Sequence, residues 1–262
     1  MANHKLGTTL DLRERSLLAG GSTDLTGYLV EPTTPGPWPG VVVIHEALGA
    51  DEVMERHAER MAEAGYLTLM PDLFSDGGLR RCLVSTMRSI VSGRGKAFGD
   101  IEAARRELVD NPNCTGKVGL IGFCMGGAFA LLTASNGKYD AVSTNYGRPP
   151  RRLDTLLEGS CPVVGSYGAK DFSMRGAAKE LEEALTLHDV PHDVKEYPDA
   201  GHCFLNDSEN APTWSLPITR IANVRPHPES AVDAWERIDS FFHEHLRDRK
   251  DRSGDRAHLV QK

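Results

Sequence analysis

The 262-residue chain lacks any apolar run approaching the ~20 residues that cross a bilayer, which excludes a membrane-spanning role for a helix. It also lacks a basic excess: 30 Lys and Arg stand against 37 Asp and Glu, a net charge of −7 with His neutral. That balance argues against nucleic acid or an anionic membrane surface as a partner, although a local basic patch is compatible with it. No Cys-x-x-Cys pair exists among Cys82, Cys114, Cys124, Cys161 and Cys203, so the usual zinc and dithiol frames are missing. The opening "MANHKLGTTLDLRERS" has no apolar h-region. Together these features predict reduced thiols and a cytoplasmic location. His188 and His192 have ligand-like spacing, but Pro191 breaks a helix between them, so no metal is expected. No internal repeat is visible.

What is present alternates regularly from Val41 onward. "VVVIH" is a β-branched run of the kind buried on both faces of a sheet. Helical spacing follows over 51–64 and stops at Gly65, a C-cap residue. "YLTLMP" predicts a strand, 97–110 a helix ending before Asn111-Pro112, and "KVGLIGF" a strand. "MGGAFALLTAS" reads as helix, "YDAVSTNYG" and "CPVVGSYG" as strands, 175–188 as helix, "HDVKEYP" as strand and 230–246 as a closing helix. This is an α/β pattern: a mostly parallel central sheet with helices on both faces, and antiparallel edge strands from the region of "LTGYLVEP". Residues 1–246 read as a single domain. The stretch 206–228, with Pro212, Pro217, Pro226 and Pro228, is long for a connection and reads as a functional loop or lid. The charged tail 247–262 has little to bury and reads as disordered.

In a parallel sheet, ligands bind past the carboxyl ends of the strands. Three reactive side chains fall there: Cys124 after "KVGLIGF", Asp171 after "CPVVGSYGAK" and His202 after "HDVKEYPDAG". Nucleophile, acid, histidine is a known chain order for a hydrolytic triad. An imidazole can take a thiol proton, and a carboxylate on the other ring nitrogen holds the useful tautomer. Gly122 and Gly126 make room for a strained turn at Cys124, and a helix starting near Met125 aims its amides at the sulfur. Singly, each residue is equally well a buried thiol, a surface His or a helix cap. In this order at three strand ends, the catalytic reading is the better one.

"HEALGADEVMERHAERMAEAGYLTLMPDLF", "GKVGLIGFCMGGAFAL" and "GAKDFSM…YPDAGHCF" resemble the dienelactone hydrolase (carboxymethylenebutenolidase) family, from about Val41 to Phe204. The resemblance implies an α/β-hydrolase fold and a Cys124–His202–Asp171 triad. It also implies that Glu46, in "HEALG", helps the thiol ionise; a carboxylate facing that edge of the sheet is a plausible proton acceptor on chemical grounds too. The oxyanion hole would use the backbone N–H groups of Met125 and Ala47.

Two arginines that bind the substrate carboxylate in this family are replaced here by Asp76 and Asn206. Arg80 and Arg81 nearby, or Arg148, Arg151 and Arg152 after "NYG", are candidate replacements. Tyr146 is expected to line the pocket, and Trp214 to cover it or to meet another subunit. The expectation is a cofactor-free hydrolase of a small-molecule lactone or activated ester, working through a thioester on Cys124, either monomer or homodimer. The alternatives are a non-catalytic ligand-binding module and a redox-responsive thiol protein pairing Cys124 with Cys203.

Overall fold

Val41, Val42, Val43 and Ile44 have no solvent exposure, and their side chains alternate between two apolar clusters on opposite faces of one sheet. The structure is a computed structural model that describes residues 6–210, 219 and 223–247. Among these, eight strands form one sheet: β1 (Thr8–Asp11), β2 (Thr26–Val30), β3 (Trp38–Ile44), β4 (Leu67–Pro71), β5 (Cys114–Phe123), β6 (Ala141–Asn145), β7 (Val163–Gly168) and β8 (His192–Tyr197). Their order is β1-β2-β4-β3-β5-β6-β7-β8. All pairs from β4 to β8 are parallel, and β1 and β2 are antiparallel at one edge, as expected for the N-terminal segment.

The described helices are α1 (Arg13–Leu18), α2 (Glu52–Glu63), α3 (Gly78–Ser92), α4 (Lys96–Asp110), α5 (Met125–Thr133), α6 (Leu153–Leu156), α7 (Ala177–Leu187) and α8 (Pro228–Leu246). Val42, Ile44 and Leu120 face a core shared with Ile101 and Leu108 of α4, Phe129 of α5 and Leu181 of α7. Val41, Val43, Ile121 and Phe123 face the other core, with Met54 and Met61 of α2 and Trp235, Ile238 and Phe242 of α8. Each fully buried aliphatic side chain contributes roughly 1.5–3 kcal/mol, so this two-sided burial holds the sheet between its helix layers, while the parallel pairing brings the carboxyl ends of β3 to β8 to one edge. This is the α/β-hydrolase arrangement. No helix among the described residues is long and apolar enough to cross a membrane.

Local signals set the helix limits. Asp51 caps α2 by accepting from the Met54 N–H at 3.0 Å, and Gly65 follows α2 at φ +93°. Pro228 opens α8 in the first turn, where its missing N–H costs nothing. Gly176, at φ +80°, delays the start of α7 by two residues relative to the spacing-based expectation. The expected tail begins with an anchored residue: Arg247 donates to the Ala64 carbonyl at 2.9 Å and lies over the Tyr66 ring. The rest of that tail and Trp214 fall outside the described residues.

Candidate active site

β5 turns into α5 at Cys124, whose φ of +52° and ψ of −110° put a non-glycine residue in left-handed space. Such strain costs of order 1–3 kcal/mol and persists only where the surroundings enforce it. Here they do. A Cβ on Gly122 would stand 2.0 Å from the Gly126 carbonyl oxygen, and one on Gly126 would stand 2.2 Å from that of Ile44. Only glycine permits β3, β5 and α5 to approach so closely. From β6, the Asn145 carbonyl accepts the Cys124 N–H at 3.0 Å, while its side-chain amide donates to the Gly122 carbonyl at 3.2 Å. The turn is therefore bracketed from the neighbouring strand, and the Met125 amide opens α5 beside the sulfur.

The loops after β7 and β8 bring Asp171 and His202 to the same edge. His202 Nδ1 lies 2.5 Å from Asp171 Oδ2, and Asp171 Oδ1 accepts from the Ser173 N–H at 2.9 Å and the Ser173 hydroxyl at 2.6 Å. Burial pushes the imidazole pKa down, but bonding to Asp171, Cys124 and Cys203 outweighs it and holds His202 well above the ordinary histidine value. Burial likewise raises the Asp171 carboxyl, yet the His202 and Ser173 bonds hold it below the usual carboxylate range. Cys124, His202, Glu46 and Ala47 line one pocket of about 240 Å³. Cys124, His202 and Asp171 are thus brought to one edge of the sheet.

The sequence profile of the dienelactone hydrolase family matches residues 25–246. The chain belongs to the dienelactone hydrolase family. It is 26% identical over 245 residues to the carboxymethylenebutenolidase of Rhodococcus opacus, covering 86% of this chain and 88% of that one. Among solved structures, it superposes on a dienelactone hydrolase-like promiscuous phosphotriesterase from metagenomic libraries with a TM-score of 0.77 at 23% identity, over 92% of this chain and 98% of that chain. The dienelactone hydrolase of Anabaena variabilis gives a TM-score of 0.65 at 20% identity, over 92% and 98% of the two chains.

In this family member the expected substrate contacts divide sharply. Arg81 lines a separate cleft beside α3, Arg80 is exposed on α3, and Arg148 donates to the Ser173 carbonyl at 2.7 Å. None of the three lines the Cys124 pocket, which corrects the sequence-based assignment: α3 packs on α4 and α5 beside a separate cleft, and Arg148 is held by the Ser173 carbonyl. Asp76 belongs to the α3 cleft too, bonded to Thr23 at 3.0 Å and Lys96 at 3.3 Å. Tyr146 has no solvent exposure and sits behind the pocket wall, its ring 5.1 Å from that of His202. Burial, then the nearby Glu46 charge, pushes its phenol pKa far up, so its hydroxyl stays a donor to Glu46 Oε1 at 3.2 Å.

Asn206 is at the pocket itself and is a hub. Its Nδ2 donates to Glu46 Oε2 at 3.4 Å, and its Oδ1 accepts from His57 Nε2 at 3.1 Å. Burial lowers His57 to about 4, which keeps that ring neutral and able to donate. Asn210 adds a bond to Glu46 Oε2 at 3.3 Å. Glu46, only 3% exposed, is thus a buried carboxylate held by three neutral donors. Sequence reading did not find His57, Asn210 or Arg225 at this site. A bias toward Asn and His carries no signal until distant segments are brought together. The described parts of 206–228 do line the pocket, with Arg225 among them, and Arg56 secures this segment through Asp207 and Ser208.

Proposed function

We propose that this family member hydrolyses small lactones or activated esters through a thioester on Cys124. The observation that carries the reading is the Cys124 thiol on a strained elbow, facing an imidazole whose other nitrogen is bonded to Asp171. His202, with Glu46 as a second acceptor across the pocket, takes the thiol proton as sulfur attacks the acyl carbon. The developing oxyanion is met by the Met125 and Ala47 amides, at the positive end of α5. The leaving alkoxide takes the proton from His202. In a lactone it stays tethered as a hydroxyl on the acyl chain. Water then attacks the thioester, giving its proton to His202 and releasing the acid and the thiol. No cofactor is required by this scheme.

Arg225 at the pocket rim is the candidate contact for an anionic substrate, since Asn206 is committed to Glu46. The test is a panel of lactones and aryl esters, with and without a carboxylate, run on wild type, Cys124→Ser and Arg225→Ala. An acyl adduct on Cys124 seen by mass spectrometry, and loss of turnover in Cys124→Ser, is the expected result. Full turnover by Cys124→Ser would sink the mechanism. A KM increase confined to anionic substrates in Arg225→Ala would identify the acyl group as charged.

A further inference from the structure

All five cysteines are free thiols, but they are not equivalent. Cys82 points its sulfur at the Phe74 carbonyl beneath α3, Cys114 starts β5, and burial pushes Cys161 up to about 12. The remaining two converge. Cys124 and Cys203 line the same pocket as His202, and both thiols help to hold its imidazole pKa up. Nδ1 of that ring is committed to Asp171, and Cys203 follows His202 directly in the chain. Each of the two cysteines also sits on left-handed backbone, at φ +52° and +58°. The hydrolytic scheme above gives Cys203 nothing to do, although it is 7% exposed and placed beside the reactive thiol.

We propose that Cys124 and Cys203 are a peroxide-responsive pair that closes to a reversible disulfide and switches the hydrolase off. The Cys124 thiolate attacks hydrogen peroxide, forming an S–O bond as the O–O bond breaks and hydroxide leaves, which gives a sulfenic acid. The Cys203 sulfur then attacks the Cys124 sulfur. The S–S bond forms, the S–O bond breaks, and the Cys203 proton passes through His202 to the departing hydroxide. In sum, two thiols and one peroxide give one disulfide and two waters. A reducing thiol reverses the change by exchange. The pairing rests on Cys124 being the reactive thiol of the pocket, and not on its hydrolytic role.

The two cysteines fall in separate tryptic peptides, 118–138 and 196–220, so the link is directly readable. Wild-type protein is treated with one equivalent of hydrogen peroxide, capped with iodoacetamide and digested without reduction. The expected product is a cross-linked pair two hydrogens lighter than the separate peptides. Hydrolysis is lost and returns on dithiothreitol. Cys203→Ser and Cys203→Ala should instead hold Cys124 as a sulfenic acid that dimedone traps, and excess peroxide should drive it to sulfinic acid. Recovery on reduction, relative to each variant's own untreated rate, should then fall about 10-fold or more. Sulfinic acid on Cys124 of the wild type with Cys203 still alkylated would overturn the pairing, as would a disulfide to Cys82, Cys114 or Cys161. A 124–203 link in protein that turns over no ester leaves the pairing intact and removes the hydrolytic reading; turnover through Cys124 without the link does the opposite.

Discussion

Two clefts in this molecule hold buried acids, and they are built for different purposes. Beside α3, Asp100 is 1% exposed and takes 2.6–2.7 Å bonds from the Ser16 hydroxyl and from the Ser22 amide and hydroxyl. Those bonds clamp α1 and the following turn onto α4. In the Cys124 pocket, Glu46 is buried among neutral donors that lie 3.2–3.4 Å away, beside a strained thiol and a raised imidazole. Short, saturated bonds around a buried charge mark architecture. Longer bonds beside a strained, partly open thiol leave capacity for a reacting atom. Burial and charge alone do not separate the two clefts.

The comparison can be broken by substitution. Cys124→Ala should lower ester or lactone turnover by about 10⁴-fold or more without unfolding the chain, as removal of a nucleophile does in related mechanisms. Asp171→Asn should cost roughly 10²–10⁴-fold by loosening the His202 tautomer. Asp100→Ala should do the reverse, leaving turnover per folded molecule unchanged while lowering stability by about 2–4 kcal/mol in urea melts, because three donors lose their acceptor. An Asp100→Ala protein that folds normally but cannot turn over substrate would erase the distinction. Arg81→Ala, at the α3 cleft, should change kcat/KM by less than about 2-fold, within the range of a solvated surface charge.

Acidity sharpens the contrast further. The depressed Asp171 carboxyl contributes stability above its ordinary value of 3.8, lost as pH falls through its lower folded value. The raised His202 contributes stability below its ordinary value of 6.5, lost as pH climbs through its higher folded value. The stability gap between wild type and Asp171→Asn should therefore be widest between pH 3.8 and 6.5 and narrow on either side. Urea midpoints across that range measure it; a gap that keeps widening above this window would contradict the assigned direction for His202.

The strands were legible because runs such as Val41–Val43 are buried on both faces and carry the β-branched residues such strands require. The grouping of Cys124, Asp171 and His202 at one edge was legible because each follows a readable strand. Helix α3 was not. Its buried residues are Cys82, Thr86 and Ser89, Leu83 and Ile90 are only partly buried against the core, and Val84, Met87 and Val91 are exposed, so burial follows its apolar residues only loosely. Of the arginines counted along the chain as replacements, Arg80 and Arg81 are on that helix, Arg148 is bound to the Ser173 carbonyl, and Arg151 and Arg152 are exposed just before α6. The role of Asn206 was hidden for another reason: its partners Glu46, His57 and Tyr146 lie 160, 149 and 60 positions away.

Asn145 gives the elbow a consequence for how the chain matures. Its carbonyl and amide brace Cys124 and Gly122 from β6, while Ile44 of β3 presses on Gly126 from the opposite side. Neither brace exists until three strands distant in sequence have docked in register. An incompletely assembled sheet therefore lacks the braced elbow at 124, and only the finished one holds that thiol in the strained turn. The rate at which Cys124 is alkylated then becomes a clock for sheet closure, readable during refolding with no substrate present.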